Sequence, residues 1–250
     1  MHSRLGFVLF SFAALLVLAA LIALGTWQVH RLQWKEALIA SVNERIEGTP
    51  IPLGQMEQQF IDTGDVDYYP VRVAGRFLHD GEAHYHNTHK GSVGWHVYTP
   101  LELDDGRILF VNRGFIVDVV KDADKRQAGQ ISERVEISGL ARNALSEKPS
   151  SIVPDNNLAK NQFFWRDLSA MVEHAALKEP GRVLTIIVDA GADAPPSYGQ
   201  PLGGITRISF PNNHLGYVIT WYGLALALIG VYVALILKRR RDAREQKDIS

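Results

Sequence analysis

Two long uncharged apolar runs, one near each end of the sequence, limit most strongly how this chain can fold. The first extends from Leu5 to Val29 and the second from Leu215 to Leu237, and neither contains Asp, Glu, Lys or Arg. Each run exceeds the ~20 apolar residues with which a helix crosses a bilayer, whereas a buried soluble helix rarely stays uncharged beyond about 14 residues. The mean hydropathy of −0.04 is therefore the average of two membrane-spanning ends and a polar middle.

The polar middle of the chain excludes several classes of function. It carries 19 basic and 24 acidic residues, a net charge of −5, and a mildly acidic domain binds polyanions poorly, so no nucleic-acid partner is expected. The sequence has no cysteine, which excludes disulfides, thiolate metal ligands and cysteine catalysis. The frames of a serine nucleophile elbow, a His-Glu-x-x-His site and a P-loop do not occur in it either, so we do not expect an enzyme.

Positive charge beside the second run predicts the orientation in the membrane. The basic segment Lys238–Arg241 follows this run directly, whereas only Arg207 lies within about 20 residues before it, and the positive-inside rule then places both termini in the cytoplasm. Aromatic residues mark the outer ends of the runs, as interfacial anchors do: Trp27, Trp34, Tyr217, Trp221 and Tyr222. We expect an uncleaved anchor, no mitochondrial transit segment, and a multi-pass protein in the lipid of a bacterial inner membrane.

The helical pattern continues past the first run, so the first helix is predicted to project from the membrane. Apolar residues recur at positions 34, 38, 42 and 46 until Pro50 and Pro52 interrupt them. The predicted organisation is a cytoplasmic N-terminus (1–4), a transmembrane helix (5–26), its helical extension (27–50), a β-rich periplasmic domain (51–190), a linker with the last strand (191–213), a second transmembrane helix (214–237) and a basic cytoplasmic tail (238–250).

Strand-like segments recur through the middle of the chain, several with the alternation of half-buried strands. They are Val71–Gly75, Glu82–His86, Trp95–Leu101, Arg107–Phe115, Val135–Leu140, Phe163–Arg166, Val183–Asp189 and Ile205–Phe210. The Asp-Gly pairs at 80–81 and 105–106 are hairpin signals, and Leu168–Leu177 has the pattern of an amphipathic helix. The predicted fold class is a membrane protein in which two transmembrane helices flank a β-rich α+β domain, an antiparallel sheet or a small barrel.

Two polar groups in the predicted domain are candidates for a site. His84, His86 and His89 form the densest cluster of potential metal ligands, with His96 nearby, and on a strand His84 and His86 share a face; an exposed polar strand edge is the alternative. The segment Asn112–Gly114 closes the most apolar strand, and a buried Arg113 needs a carboxylate or carbonyl partner. Arg113 is therefore either a structural pin or a contact to a propionate or a partner protein.

His214 stands at the start of the second apolar run, at the predicted outer membrane surface. Asn212 and Asn213 precede it as helix-capping residues, and Tyr217 and Trp221 follow at i+3 and i+7 on the same helical face. Two interpretations fit: an ordinary interfacial histidine in an aromatic belt, or an axial ligand for haem iron inside an aromatic wall. In the second case Arg31, about one turn beyond Trp27, would offer a cation for the propionates.

Four segments together resemble the surfeit-locus family of cytochrome c oxidase assembly proteins. Gly25–Lys35 reads GTWQVHRLQWK and resembles the family signature G-x-W-Q-x-x-R-x-x-W-K, and Asn212–Ala225 resembles N-N-H-L-x-Y-x-x-T-W-Y/F-x-L-A. Tyr69–Phe77 and Val111–Phe115 match two further family landmarks in the expected order. Phe115 stands where the family usually has Trp, and the histidines at 84 to 89 match no family motif.

The resemblance implies an assembly factor, not an enzyme, that binds haem a and assists its insertion into cytochrome c oxidase subunit I, with haem a synthase as a second candidate partner. His214 becomes the candidate haem a ligand, and the implied pocket or partner residues are Trp27, Gln28, Arg31, Tyr217 and Trp221. A membrane scaffold that stabilises an oxidase intermediate without binding haem remains open. A polysaccharide chain-length regulator also has two terminal spans, but its outer domain is largely helical, unlike the strands predicted here.

Overall fold

The computed structural model describes residues 2–192, 200–206 and 210–248. It divides into two compact units, residues 1–41 with 209–250, and residues 42–208. The elements are α1 (His2–Ile46), β1 (Ile51–Pro52), α2 (Leu53–Thr63), β2 (Pro70–Phe77), β3 (Ala83–His89), β4 (Ser92–Leu103), β5 (Ile108–Val117), β6 (Val135–Asn143), α3 (Leu168–His174), β7 (Val183–Ala190) and α4 (His214–Asp248). Short 3₁₀ turns occupy His79–Gly81, Asp118–Val120, Ala123–Gly129, Leu158–Lys160 and Pro180–Arg182.

The first unit is an antiparallel pair formed by α1 and α4, and both helices are long and apolar enough to cross a membrane. Three hydrogen bonds join the pair along its length. Tyr232 Oη donates to Ser11 Oγ at 2.7 Å, Tyr222 Oη lies 3.1 Å from Thr26 Oγ1, and His214 Nδ1 lies 2.7 Å from Gln28 Oε1. Each of these contacts pairs polar side-chain atoms of one helix with those of the other, as is favourable in an apolar environment.

A regular seam of wholly or partly buried side chains runs down the helix pair. On α1 it contains Ser11, Ala14, Leu18, Leu21, Gly25, Gln28, Leu32 and Lys35, and on α4 it contains His214, Val218, Trp221, Ala225, Leu228 and Tyr232. The spacing alternates between three and four residues, the seven-residue repeat of a left-handed coiled coil. The large side chains outside the seam are exposed in the structure, as expected of helices whose solvent is lipid.

The second unit is organised around a closed five-stranded barrel. Its strands follow in the order β2, β6, β7, β5 and β4, and antiparallel pairing of Gly75–Phe77 with Leu101–Leu103 closes it. All neighbours in the barrel are antiparallel except β5 and β7, so the barrel is mixed. The remaining strands extend it, because β1 pairs with the first residues of β2 and β3 forms a hairpin with the first half of β4.

Two large apolar cores, one on each face of the sheet, and a smaller cluster of Trp95, Val97 and Ile116 stabilise this unit. The interior core contains Met56 of α2, Val66 and alternating barrel residues such as Val71, Leu109 and Val188. The second core lies on the opposite face, where Phe110 and Ile187 pack with Met171 of α3. Strand β5 is buried on both faces over nine residues, which explains why its sequence is apolar apart from Asn112 and Arg113.

The fold class expected from the sequence is confirmed, with several local corrections. The Asp-Gly pair at 105–106 makes the β4–β5 hairpin, but the pair at 80–81 lies in a 3₁₀ turn between two strands that do not pair with each other. The predicted helices also end early, at Ile46 and at His174 rather than Leu177. The strand expected at Ile205–Phe210 includes residues 207–209, which lie outside the described part of the chain.

The strand predicted at Phe163–Arg166 is wrong. Only Phe163 bridges a strand, at Tyr85. The preceding Asn161 adopts a left-handed conformation with φ of 47°, and Asp167 already caps α3 by accepting a hydrogen bond from the Ala170 N–H. Too few residues remain between these two features to extend a ladder.

Gly25 tests the packing of the helix pair, because a Cβ there would lie 2.9–3.1 Å from the ring of Tyr222. We expect Gly25→Leu to destabilise the pair by about 1–3 kcal/mol through overpacking. Gly223→Leu is the control, since a Cβ at Gly223 meets nothing within 4 Å. Unfolding of the full chain in mixed micelles, followed by tryptophan fluorescence, measures both, and equal destabilisation would contradict the packing described.

Candidate functional site

The predicted site residues His214 and Gln28 meet directly across the two helices. Asn212 Oδ1 accepts a hydrogen bond from the His214 backbone N–H at 3.4 Å, which fixes the first residue of α4. The His214 ring then reaches across to α1, where its Nδ1 lies 2.7 Å from Oε1 of the buried Gln28. A carbonyl oxygen only accepts, so Nδ1 is the donor, and in the neutral ring Nε2 keeps a free lone pair.

Aromatic side chains surround this pair. Trp27 is 57% exposed and Tyr217 is 55% exposed, so both present most of their rings outward. Trp221 is half-buried in the seam, and within the described part of the chain its Nε1 is buried without a hydrogen-bond acceptor. These rings, next to Gln28 on α1 and three and seven residues after His214 on α4, could offer flat faces to a planar ligand.

Two cations lie one to two turns further along α1. The Arg31 guanidinium stacks 4.2 Å above the Trp34 ring, and the Lys35 ammonium lies 5.1 Å from the ring of Phe210. Among the residues that the structure describes, neither cation forms an ion pair with a carboxylate. This end of the helix pair thus combines an imidazole, aromatic faces and positive charge, which are groups that suit haem iron and its propionates.

A second polar cluster lies in the barrel unit around the buried carboxylate of Glu82. Arg113 Nη1 donates to Glu82 Oε1 at 3.2 Å, and the wholly buried Arg126 donates to both carboxylate oxygens. Burial alone would raise the pKa of Glu82, but hydrogen bonds from His79, His84 and Arg126 outweigh it and hold that pKa far below its usual range. Burial lowers the pKa of Arg113 to about 10.

The predicted partner residues Asn112, Arg113 and Gly114 lie in the interior. Arg113 is 8% exposed and also donates to the Gly129 carbonyl, and Asn112 is 6% exposed. Gly114 has φ of +119°, and a Cβ there would lie 2.0 Å from the Leu202 carbonyl oxygen. This burial corresponds to the structural pin, and none of the three residues is presented to a partner protein.

The three histidines of β3 have separate environments. His84 and His86 share a face as predicted, but Nε2 of His84 lies 3.2 Å from Arg126 Nη2, while His86 packs edge-on against Trp95 at 5.3 Å. His89 contacts the Phe115 ring at 5.5 Å. Within the described residues no three His, Cys, Asp or Glu side chains are arranged to hold a metal ion.

The sequence analysis does not identify Glu82 and Arg126, which form the charged centre of the barrel unit. The sequence marks Glu82 only as the first residue of a predicted strand, and no carboxylate is assigned to the histidine cluster. The structure brings the Glu82 carboxylate within 3.8 Å of His84 Nε2, but two guanidinium groups already occupy it. Because the arginine partners are 31 and 44 residues away, no local spacing signals the cluster.

The fold and this site define a class of protein in which a pair of candidate membrane-spanning helices carries an interfacial histidine and a β-barrel domain. The chain matches the SURF1 family over residues 15–226. It is 34% identical to the SURF1-like protein of Monosiga brevicollis, over 85% of this chain and 82% of that protein. Identity is 35% to Surfeit locus protein 1 of Gallus gallus and 34% to that of Homo sapiens, in each case over 85% of this chain and 71% or 73% of the relative. The chain therefore belongs to the SURF1 family, known as cytochrome c oxidase assembly factors and generally non-enzymatic.

Removal of the Glu82 charge should strongly destabilise the barrel unit. Glu82→Gln leaves two buried guanidinium groups without a carboxylate, and we expect a loss of about 3–5 kcal/mol in the free energy of unfolding. The control is Glu136→Gln, which removes an exposed pair with Arg72 and should cost less than about 1 kcal/mol. Denaturant unfolding of the full chain, followed by circular dichroism, compares them.

The same cluster predicts acid lability. Burial lowers the pKa of His84, so its contribution to stability is lost as the pH falls below about 6.5, where an unfolded histidine takes up a proton. The depressed pKa of Glu82 means that its contribution is lost at lower pH, beginning near the ordinary glutamate value of about 4.3. Melting temperatures measured from pH 8 to 3 should fall below about pH 6.5 and fall further below about pH 4.3 in wild type, and a flat profile would contradict both assignments.

Proposed function

We propose that the protein binds haem a at His214 and assists its insertion into cytochrome c oxidase subunit I. The observation that carries the proposal is the 2.7 Å contact between His214 Nδ1 and Gln28 Oε1. Metal-binding histidines usually donate one ring N–H to a fixed acceptor, which sets the tautomer and orients the other nitrogen toward the metal. Gln28 is such an acceptor, and Nε2 of His214 is the nitrogen that would bind iron.

The neighbouring side chains supply the other contacts that a haem needs. Trp27, Tyr217 and Trp221 would pack against the macrocycle, and the buried Trp221 N–H is a donor for which the described residues provide no acceptor. Arg31 would neutralise a propionate from its position beside Trp34. These roles match the chemistry of each side chain, and membership of an oxidase assembly family supplies the context.

Binding at this site would be reversible, as delivery requires. Trp27 and Tyr217 are more than half exposed, so they enclose a ligand on part of its surface, and a single axial histidine holds iron less tightly than two axial ligands. His214 and its neighbours would therefore hold and release haem a without chemistry on it, so the proposed role is that of a carrier and not of an enzyme. Subunit I is the proposed acceptor and haem a synthase the proposed donor.

His214→Ala should abolish haem a binding, because no other described side chain at this position offers a nitrogen ligand. His30→Ala is a matched control, since His30 is an exposed histidine of the same helix pair. We expect co-expression with the enzymes of haem a synthesis, followed by visible spectroscopy of the purified protein, to show a haem a spectrum in wild type and His30→Ala only. Equal haem a content in His214→Ala would rule out the ligand assignment.

Gln28 variants test the orienting contact separately. Gln28→Ala removes the acceptor and should weaken haem a binding about tenfold to a hundredfold. Gln28→Glu keeps an acceptor and should retain binding, with a lower reduction potential because a carboxylate makes the imidazole a stronger donor. Binding that is unaffected in Gln28→Ala would contradict the positioning role of Gln28 while leaving that of His214 intact.

A membrane scaffold that binds no haem is the alternative, and the exposed rings of Trp27 and Tyr217 favour it as much as they favour a haem. A helix of an oxidase subunit could pack against these rings instead. The two functions predict different results in a strain that lacks this protein. If the protein is a scaffold, subunit I accumulates alone with its normal haem a content. Loss of haem a from subunit I supports the carrier.

We also propose that both termini are cytoplasmic and that the barrel unit lies in the periplasm of a bacterial cell, on the basis of the basic segment Lys238–Arg241. The cysteine-free sequence allows a direct test with single cysteines at two exposed positions, Ile152→Cys and Arg244→Cys. A membrane-impermeant maleimide should label the first in intact cells with a permeable outer membrane, and the second only after lysis. Labelling of Arg244→Cys from outside would reverse the topology.

A further inference from the structure

A polar pocket of about 190 Å³ lies on the outer face of the barrel, in the second unit. It is lined by residues of β3, β4, β5, β6 and β7, among them Tyr85, His96, Asn112, Arg142 and Asp189, and by Arg166 from the segment before α3. Pockets for drug-sized ligands begin at about 300 Å³. This pocket is therefore of a size for a small molecule and too small for a haem.

A chain of hydrogen bonds crosses the floor of the pocket and fixes the orientation of His96. Asn112 Nδ2 donates to the carboxylate of Asp189 at 2.9 Å, so the amide oxygen of Asn112 points the other way. That oxygen accepts from the Gly114 backbone N–H and lies 3.1 Å from His96 Nδ1. Since an amide oxygen only accepts, Nδ1 of His96 carries the proton.

The other ring nitrogen of His96 is left as a free acceptor. Burial lowers the pKa of His96 despite its contact with Asn112, so the ring is neutral and Nε2 holds a lone pair. Within the described part of the chain Nε2 receives no hydrogen bond, and it is not among the buried polar atoms that lack a partner. Because His96 lines the pocket, Nε2 is the ring atom that could accept from a ligand that carries an O–H or N–H.

The two arginines of the pocket differ in their partners. Arg142 donates to Asp67 at 3.0 Å and to Asp189 at 3.5 Å, so its charge is already balanced. Arg166 is half-buried, and among the described residues it forms no ion pair or hydrogen bond. A partly buried guanidinium without an anion is costly, and a carboxylate is the group that its planar fork binds best.

Backbone strain is also present at this pocket. Tyr68 has a φ of 67°, a left-handed conformation that is rare for a bulky residue, and its ring stacks 4.2 Å from the Arg142 guanidinium. Its N–H is held by the Ala141 carbonyl at 2.9 Å. Strained residues of this kind concentrate where a binding surface requires one particular side-chain placement.

We propose that this pocket is a binding site for a small hydroxycarboxylate, whose carboxylate binds Arg166 and whose hydroxyl donates to His96 Nε2. Asn112 and Asp189 act as positioning residues, because they fix the histidine tautomer that accepts from the ligand. The buried carboxylate of Asp189 disfavours a phosphate, whose second negative charge it would repel. The site is separate from the His214–Gln28 pair and does not depend on the proposed transfer of haem a.

Calorimetric titration of the purified full-length protein with three probes tests the two contacts. L-lactate has both groups, propionate lacks the hydroxyl and lactamide lacks the charge. We expect lactate to bind, and propionate to bind about tenfold more weakly because it loses the hydrogen bond to His96. Lactamide should give no measurable binding because it loses the charge-assisted contact with Arg166.

Variants of the pocket residues test where lactate binds. Arg166→Gln should weaken lactate binding about tenfold or more, whereas Arg76→Gln, an exposed arginine of β2, should leave it unchanged; their melting temperatures show whether each is folded. His96→Gln should remove the preference for lactate over propionate. The proposal is overturned if wild type binds lactate more weakly than about 10 mM, if lactate and propionate bind equally, or if Arg166→Gln binds lactate as wild type does.

Discussion

The close approach of α1 and α4 is the constraint on which the candidate haem site depends. Gly25 lets the ring of Tyr222 lie against the α1 backbone, and one turn further along the same seam the His214 and Gln28 side chains come within hydrogen-bond distance. Without hydrophobic driving force inside a bilayer, such contacts must come from small residues and interhelical hydrogen bonds. The packing of the two helices therefore also determines the orientation of the His214 side chain.

The barrel unit relies on a different interaction, the shared carboxylate of Glu82. Two buried arginines and two histidines from separate segments converge on it, so the turn at His79–Gly81 and the 3₁₀ segment at Ala123–Gly129 are tied to the start of β3. Buried charges of this kind often contribute little to net stability compared with apolar residues. Their effect here is to fix which irregular segments meet at the rim of the barrel.

The sequence predicted the elements better than it predicted how they pair. Uncharged length identified both long apolar helices, and strand-like patterns located six of the seven strands of the described residues within a few residues, because both are local properties. Closure of the barrel through Gly75–Phe77 and Leu101–Leu103 depends on a pairing between distant segments, for which a single sequence carries no signal. The prediction of short elements was wrong where a helix cap determines the structure. Asp167 caps α3, and this cap ends the segment in which a strand was expected at Phe163–Arg166.

The two candidate sites show the same difference between local patterns, which the sequence reveals, and contacts between distant segments, which it does not. Asn212, His214 and Tyr217 form a compact motif at a helix start, and this motif and Gly25–Lys35 resemble one family, which predicts that the two helix ends act together. Asn112 and Asp189 are register partners on β5 and β7. His96, on β4, reaches Asn112 beside a register shift between His96 and Tyr98, so the three residues come from three different strands. Asn112 stands out in the sequence only as a neighbour of Arg113, and no local pattern indicates its partners.

The division of the haem site between two helices has a consequence for biosynthesis. Gln28 and His214 are separated by 186 residues, and at about 5–20 residues per second the ribosome adds this length in about 10–40 s. During that interval α1 has been synthesised while its histidine partner has not. A nascent chain therefore lacks the His214–Gln28 contact, and the proposed haem site is complete only when α4 and the barrel sequence before it have been synthesised.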